Sequence, residues 1–355
     1  MKNLKVKLIG FLLLTFVMVS CGSDEPIAIT PPLNEVLENL NNGIMEGKLS
    51  EDYTLDPTIQ YSLRGAFIIE NNGILTIPAG TIITADSGGT EVYIAVLQGG
   101  EININGNAGN PVVMSSATGS PGDWGGLTLC GNASTTAGVD ASAEVGGFIY
   151  GGTDDVDSSG IIRYLQIVGT GAQINPESQY NGISFYGVGS GTLVDHVAII
   201  NGSDDGVEFF GGTVAVSNLY LENNDDDSID WTEGWSGSVT NAYISHTVAG
   251  FSTVFEGDKD NANPTFTNIT AVSSVGGTGL QFKKESGATI TGLHLVGYDV
   301  DLDMKDNGAL SNVQIDGTTA DATLYTGETN KYLLNSGKNA APVELNKWSW
   351  IDDSF

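Results

Sequence analysis

Val194-Asp195-His196-Val197-Ala198-Ile199, Val216-Ser217-Asn218-Leu219-Tyr220-Leu221, Val239-Thr240-Asn241-Ala242-Tyr243-Ile244, Ile290-Thr291-Gly292-Leu293-His294-Leu295 and Leu310-Ser311-Asn312-Val313-Gln314-Ile315 are versions of one block. The block is a short alternating strand. It recurs about every 22 to 24 residues where the repeat is regular. Self-similarity at that period marks a solenoid, and short β segments make it a β-helix. Successive coils of a β-helix lie about 4.8 Å apart, so residues one period apart in sequence become neighbours in space. Asp204, Asp205 and Glu208 fall one period before Asp226, Asp227 and Asp230.

The β pattern continues on both sides of these blocks. Phe67-Ile68-Ile69 runs into the turn Asn71-Asn72-Gly73, and Ile74-Leu75-Thr76-Ile77 follows. Val92 to Leu97, Glu101 to Asn105 and Val112 to Ser115 extend the series. Residues 66–320 therefore read as a parallel β-helix of roughly ten coils, and the chain as all-β. Leu33, Val36, Leu37, Leu40 and Ile44 have the spacing of a short amphipathic helix, so 33–65 reads as an N-terminal cap and entry segment. The tail, 321–355, carries Trp348, Trp350 and Phe355 and reads as a C-terminal cap, because a solenoid must cover both ends of its core. Residues 134–160 break the rhythm and read as a loop leaving the coil, and Glu256 to Pro264 as a second insertion.

The N-terminus reads as an address. Lys2, Lys5 and Lys7 precede an apolar run from Ile9 to Val19 that is too short to span a bilayer as a mature helix. Met18-Val19-Ser20-Cys21 resembles a bacterial lipobox, which implies a signal peptide at 1–20 and lipidation of Cys21. Gly22-Ser23-Asp24-Glu25 resembles the acidic tether of Bacteroidota surface lipoproteins, and Pro26, Pro31 and Pro32 complete a spacer over 21–32. The expected partner at this end is outer-membrane lipid, with the domain facing the cell exterior. Removing the leader takes away three lysines and no acids, leaving 13 − 3 = 10 basic against 43 acidic residues. That balance repels nucleic acid and attracts divalent cations. With Cys21 lipidated, Cys130 has no partner, so no disulfide framework exists.

Four stretches carry a family resemblance: Gly73-Ile74-Leu75-Thr76-Ile77-Pro78-Ala79-Gly80, Pro121-Gly122-Asp123-Trp124-Gly125-Gly126-Leu127, Ser158-Ser159-Gly160-Ile161-Ile162-Arg163-Tyr164 and Asp204-Asp205-Gly206-Val207-Glu208-Phe209-Phe210-Gly211-Gly212. They resemble segments of bacterial, Bacteroidota-type surface lipoproteins built on a right-handed parallel β-helix. The resemblance implies that fold, and fold alone does not specify function.

The carboxylates admit three readings. Val207, Phe209, Ile229 and Trp231 should face the core, so Glu208 and Asp230 should face solvent on adjacent coils. Asp204, Asp205, Asp226 and Asp227 stack in the preceding turns, Thr253 and Gln281 fall near the same position on later coils, and Asp301 and Asp303 extend the face. Stacked like charges are unfavourable. They are relieved by Ca²⁺, which takes six to eight oxygens, by hydration, or by raised pKa values that suit catalysis. Asp155-x-Asp157-x-Ser159-Gly160 offers a second, EF-hand-like candidate, with Gln166 where that pattern needs Glu.

The enzymatic alternative is a pectate-lyase-like lyase or a polygalacturonase-like hydrolase using Asp226, Asp227 and Asp205. Asn224-Asp225-Asp226-Asp227 resembles the paired-Asp motif of the hydrolases. Departures count against it: Gln281 replaces an expected Arg, and Val248-Ala249-Gly250 replaces Gly-His-Gly. Lys283, Lys284 and Lys305 are the available bases for a lyase; His246 is near but out of register, and His196 and His294 occupy strand positions elsewhere. The sequence thus predicts a surface lipoprotein with a non-catalytic β-helix for glycan or partner binding, adhesion or envelope scaffolding, stiffened by Ca²⁺.

Overall fold

The structure is a computed structural model, and it describes residues 32–176, 178–305, 310–319 and 350–351. Residues 1–20, Cys21 and almost all of the 21–32 tether lie outside the described residues, as does nearly all of 321–355.

Parallel strands stack on three faces of one solenoid. The first two faces share long strands that bend midway: Gly160–Val168, Leu193–Ile200, Ala215–Glu222, Ser238–His246, Thr265–Ser273 and Ala288–Val296. Among the described residues the third face holds ten strands in order: Ile44–Leu49, Tyr61–Ile69, Tyr93–Val96, Leu127–Cys130, Ile183–Tyr186, Val207–Phe210, Asp227–Thr232, Thr253–Gly257, Thr278–Phe282 and Val300–Met304. The coil begins before residue 66, since Ile44–Leu49 already pairs with Tyr61–Ile69. Glycine at position 47 and a lysine at 48 weakened the β signal there.

The bend between the first two faces explains the repeated block. Its central residue is Tyr164, His196, Asn218, Asn241, Asn268 or Gly292, each with φ between 51 and 69°. Asn and Gly visit this left-handed region at least cost. The asparagines also bond along the axis. Asn218 Nδ2 donates to Asp195 Oδ1 (2.7 Å), Asn241 Nδ2 to Asn218 Oδ1 (3.2 Å) and Asn268 Nδ2 to Asn241 Oδ1 (2.7 Å). Asn241→Ala should cost about 2–4 kcal/mol, from left-handed strain and two lost hydrogen bonds. Asn241→Gly, which removes only the hydrogen bonds, should cost less; urea unfolding of both variants checks the order, and equal losses would refute the strain argument.

Val207, Phe209, Ile229 and Trp231 all face the core and are buried. Phe185, Phe209 and Trp235 stack through it with ring centroids 5.1 and 4.0 Å apart. At one end the helix Leu33–Asn41 turns buried Val36 and Leu40 onto the first coil. At the other, Thr318–Thr319 turns back antiparallel on Val313–Ile315. Trp350 does not lie over that last coil. It packs on the flank against Val168, Ala198 and Tyr220, edge-on to Tyr164 at 5.7 Å, and its carbonyl accepts from Gln166 Nε2. The outward aromatic surface there offers an apolar seat that the sequence pattern did not reveal.

Two excursions leave the third face. The longer, 131–158, forms a hairpin of Ala141–Ser142 with Ile149–Tyr150. The shorter pairs Gln173–Asn175 with Ser178–Gln179. The long excursion is tied down by Tyr150 Oη and Thr135 Oγ1, which both donate to Glu233 Oε2 (2.7 and 2.8 Å). The second sequence insertion starts at Asp258 rather than Glu256, because Glu256 lies inside the strand Thr253–Gly257.

Candidate functional site: a walled carboxylate cleft

The register of the third face places one residue per coil on an outward row. Thr128 pairs with Ser184, Ser184 with Glu208, Glu208 with Asp230, Asp230 with Glu256, Glu256 with Gln281, and Gln281 with Asp303. A second row stands at the turn before the strands. There Asp227 N–H donates to Asp205 Oδ1 (2.8 Å), and Thr253 Oγ1 donates to Asp227 Oδ1 (2.5 Å). Asn181 begins this row, and its Nδ2 donates across to Glu208 Oε2 (2.7 Å).

The six predicted residues Asp204, Asp205, Glu208, Asp226, Asp227 and Asp230 therefore converge. Carboxylate oxygens of three overlapping sets approach within 4.8 Å: Asp204, Asp205 and Asp226; Asp205, Glu208 and Asp230; and Asp227, Asp230 and Glu256. Glu256, which pairs with Asp230, is not among the residues the sequence singles out for this face; Thr253 is, near the same position on a later coil. Thr253 instead pairs with Asp227. The apolar-acid-apolar runs Val207-Glu208-Phe209 and Ile229-Asp230-Trp231 carried the signal, and Phe255-Glu256-Gly257 keeps only its first half.

Glu208 and Asp230 point outward, but they do not lie on an open hydrated face. The excursions wall them in and leave both half-buried. A cleft of about 280 Å³ is lined by Glu144 and Ser178–Gln179 of the two excursions and by Asp204, Asp205, Glu208, Asp226 and Asp230 of the coil. Asp205, Asp227 and Glu256 are only 5, 3 and 8 % exposed. Glu144 carried no sequence signal, because it belongs to no repeat.

Burial and mutual repulsion push these acids toward their neutral forms. Asp204 rises to about 7, first from burial and then from Asp226. Asp205, Glu208, Asp227 and Asp230 are raised well above the usual carboxylate range, again first by burial and then by each other and by Glu144 and Glu256. Lys283 supplies the counter-charge seen in the described ion pairs of the cleft: its Nζ lies 2.6 Å from Glu256 Oε2. Burial works to lower Lys283, but the Glu256 hydrogen bond and the surrounding carboxylates outweigh it and raise its pKa.

Oxygen donors without His or Cys suit a hard cation such as Ca²⁺. The fit is supported by atoms that lack partners. Asp230 Oδ1, Asn181 Oδ1 and Tyr186 Oη are all shut from solvent with no hydrogen bond. Asn181 and Tyr186 are 2 and 1 % exposed. Orphaned buried polar atoms are costly, and a bound ion or its water satisfies them.

The other candidates separate from this cleft. Asp155 Oδ1 accepts the Ser134 N–H (2.9 Å), and Asp157 accepts the N–H and Nδ2 of Asn132 (3.1 and 3.0 Å). These two acids brace the root of the long excursion; like Glu144 they join none of the three oxygen groups among the described residues, and unlike Glu144 they do not line the cleft. Asp303 closes the outward row and meets Lys305 Nζ at 3.3 Å, while Asp301 is buried and rises to about 6 through burial. His246 is sealed between Ser228 Oγ (3.1 Å) and Tyr298 Oη (3.0 Å), and burial lowers it to about 4.

The profile of the pectate-lyase-like beta helix domain matches residues 47–347, most of the chain. The chain belongs to that family. No curated protein and no solved structure matches the chain. For the pectate-lyase-like family the match agrees with the ten-strand face and its parallel register, and it makes the parallel β-helix the scaffold of the acidic cleft. The family alone does not decide between catalysis and binding.

Proposed function

We propose that this β-helix is a non-catalytic module of a surface-exposed outer-membrane lipoprotein, anchored through Cys21, and that its cleft holds Ca²⁺. The observation that carries this reading is the burial of Asp205 and Asp227 at the heart of the acidic cluster. Asp205 and Asp227 are 5 and 3 % exposed and bonded to backbone and Thr253. These two are out of reach of a polysaccharide but well placed to hold an ion, while Asp226 stays exposed and Asp204, Glu208 and Asp230 are half-buried. Binding would fall to the flat faces, where Ser217, Thr240, Thr267 and Thr291 form an outward polar row with one residue per coil. A row spaced by about 4.8 Å suits an extended glycan or a partner protein.

The cleaving alternative keeps one point in favour: Asp204, at about 7, retains a proton near neutrality as a general acid must. A lyase base is harder to find, since the Lys283 pKa is raised rather than lowered. Thermal unfolding of the protein in calcium and in chelator tests the main reading. Calcium at about 100 times its Kd should add about 2.7 kcal/mol, and replacing Asp226 and Asp227 with Asn should abolish that gain. No shift with calcium, together with release of unsaturated or reducing ends from polygalacturonate, would replace binding by catalysis.

A further inference from the structure

We infer that Glu144, at the tip of the long excursion, is a ligand of the cation in the cleft, so that a divalent cation fastens the excursion down over Cys130. This rests on the calcium reading above and extends it to a residue outside the coil.

Glu144 sits between Ala143 and Val145, both buried in an apolar cluster with Cys130, Tyr150, Tyr186 and Phe210. Those two neighbours fix the tip over the cleft, where Glu144 faces Asp204, Asp205, Glu208, Asp226 and Asp230. Its presence helps to raise both Glu208 and Asp204. None of the ion pairs among the described residues involves Glu144. A loop that carries a further carboxylate into an acidic cleft is repelled while both sides are ionised, and a cation between them turns that repulsion into attraction. The geometric observation beside this is Tyr186 Oη, which shares the apolar cluster of Ala143 and Val145. It is buried beneath the tip without a hydrogen-bond partner, and Glu208 and Glu144 are the charges that act on it most strongly.

Cys130 reports on the tip. It is 0 % exposed beneath the excursion, and burial pushes its thiol up to about 12. It is unreactive while covered, because the thiolate is the reacting species. Lifting the 141–150 hairpin uncovers it.

The test is thiol labelling of the full chain carrying Cys21→Ser, which leaves Cys130 as the single thiol of the two cysteines. An aromatic disulfide reagent is applied in excess chelator and in millimolar Ca²⁺, with melting temperatures recorded in parallel. Labelling should be roughly tenfold faster in chelator, as local opening predicts. Glu144→Gln should label fast in both conditions while its melting temperature still responds to calcium through the coil carboxylates. A calcium-dependent melting temperature with unchanged labelling would overturn the role of Glu144 and leave the calcium reading standing. Calcium protection of Glu144→Gln equal to the parent would overturn it too. A melting temperature that ignores calcium would sink the calcium reading itself.

Discussion

Stripped of divalent cations, the protein should gain stability on acidification, with a melting temperature roughly 10 °C higher at pH 5.5 than at pH 8. Most proteins with paired carboxylates behave the other way. Here the folded-state pKa values of Asp204, Asp205, Glu208, Asp227 and Asp230 are raised, so the folded protein binds more protons than the unfolded chain. Stability then rises as pH falls through the folded pKa values and levels off near the ordinary carboxylate range. Asp204 alone, at about 7, should contribute about 2 kcal/mol by pH 5.5. His246 opposes this. Its folded pKa is lowered to about 4, so its stabilisation is complete above its ordinary value near 6.5 and is lost on acidification toward 4. At pH 5.5 that loss is about 1.4 kcal/mol, smaller than the sum over five or more acids. Calcium binds the ionised form, so in millimolar Ca²⁺ the melting curve should start high at pH 8 and meet the metal-free curve near pH 5. Melting scans of metal-free and calcium-loaded protein across this range decide it. Parallel curves that both fall on acidification would mean that the acids are ordinary hydrated carboxylates.

Trp235→Ala should be the most damaging single change in the core, at about 3–5 kcal/mol. Trp235 is fully buried, stacks on Phe209 at 4.0 Å and meets Phe266 edge-on at 5.9 Å. Its Nε1 donates to the Val214 carbonyl (3.1 Å), which the substitution leaves without that donor. Trp235→Phe keeps the stack and loses the hydrogen bond, so it should cost about 1–2 kcal/mol. Urea unfolding of the two variants reads the difference. A loss for Trp235→Ala below about 1 kcal/mol would mean that the coil collapses around the void at little cost.

The sequence made the regular part of this fold legible, for a physical reason. Where coils follow one another without excursions, as from Leu193 to His246, sequence spacing equals spatial register, and Glu208 falls directly on Asp230. Beyond that stretch the correspondence slips: the spacing points to Thr253, which pairs with Asp227, and leaves out Glu256, which pairs with Asp230. Burial was not legible at all. Alternation correctly aimed Glu208 and Asp230 away from the core, but their cover comes from Glu144 and Gln179, non-repeating residues whose position depends on how the excursions fold back. The same limit applies to Asp155 and Asp157, whose spacing suggests metal ligation while their partners, Ser134 and Asn132, make them braces.

The two ends of the described coil have a consequence for behaviour in crowded surroundings. A parallel solenoid presents open backbone on its first and last strands, and such edges recruit further chains into fibrils. Here the helix Leu33–Asn41 lies over the first coil, and Thr318–Thr319 uses the outer edge of Val313–Ile315 in the wrong direction for another parallel coil to add. An end closed in this way blocks another parallel coil from adding at Val313–Ile315, and loss of either closure would bare a strand edge that recruits other chains.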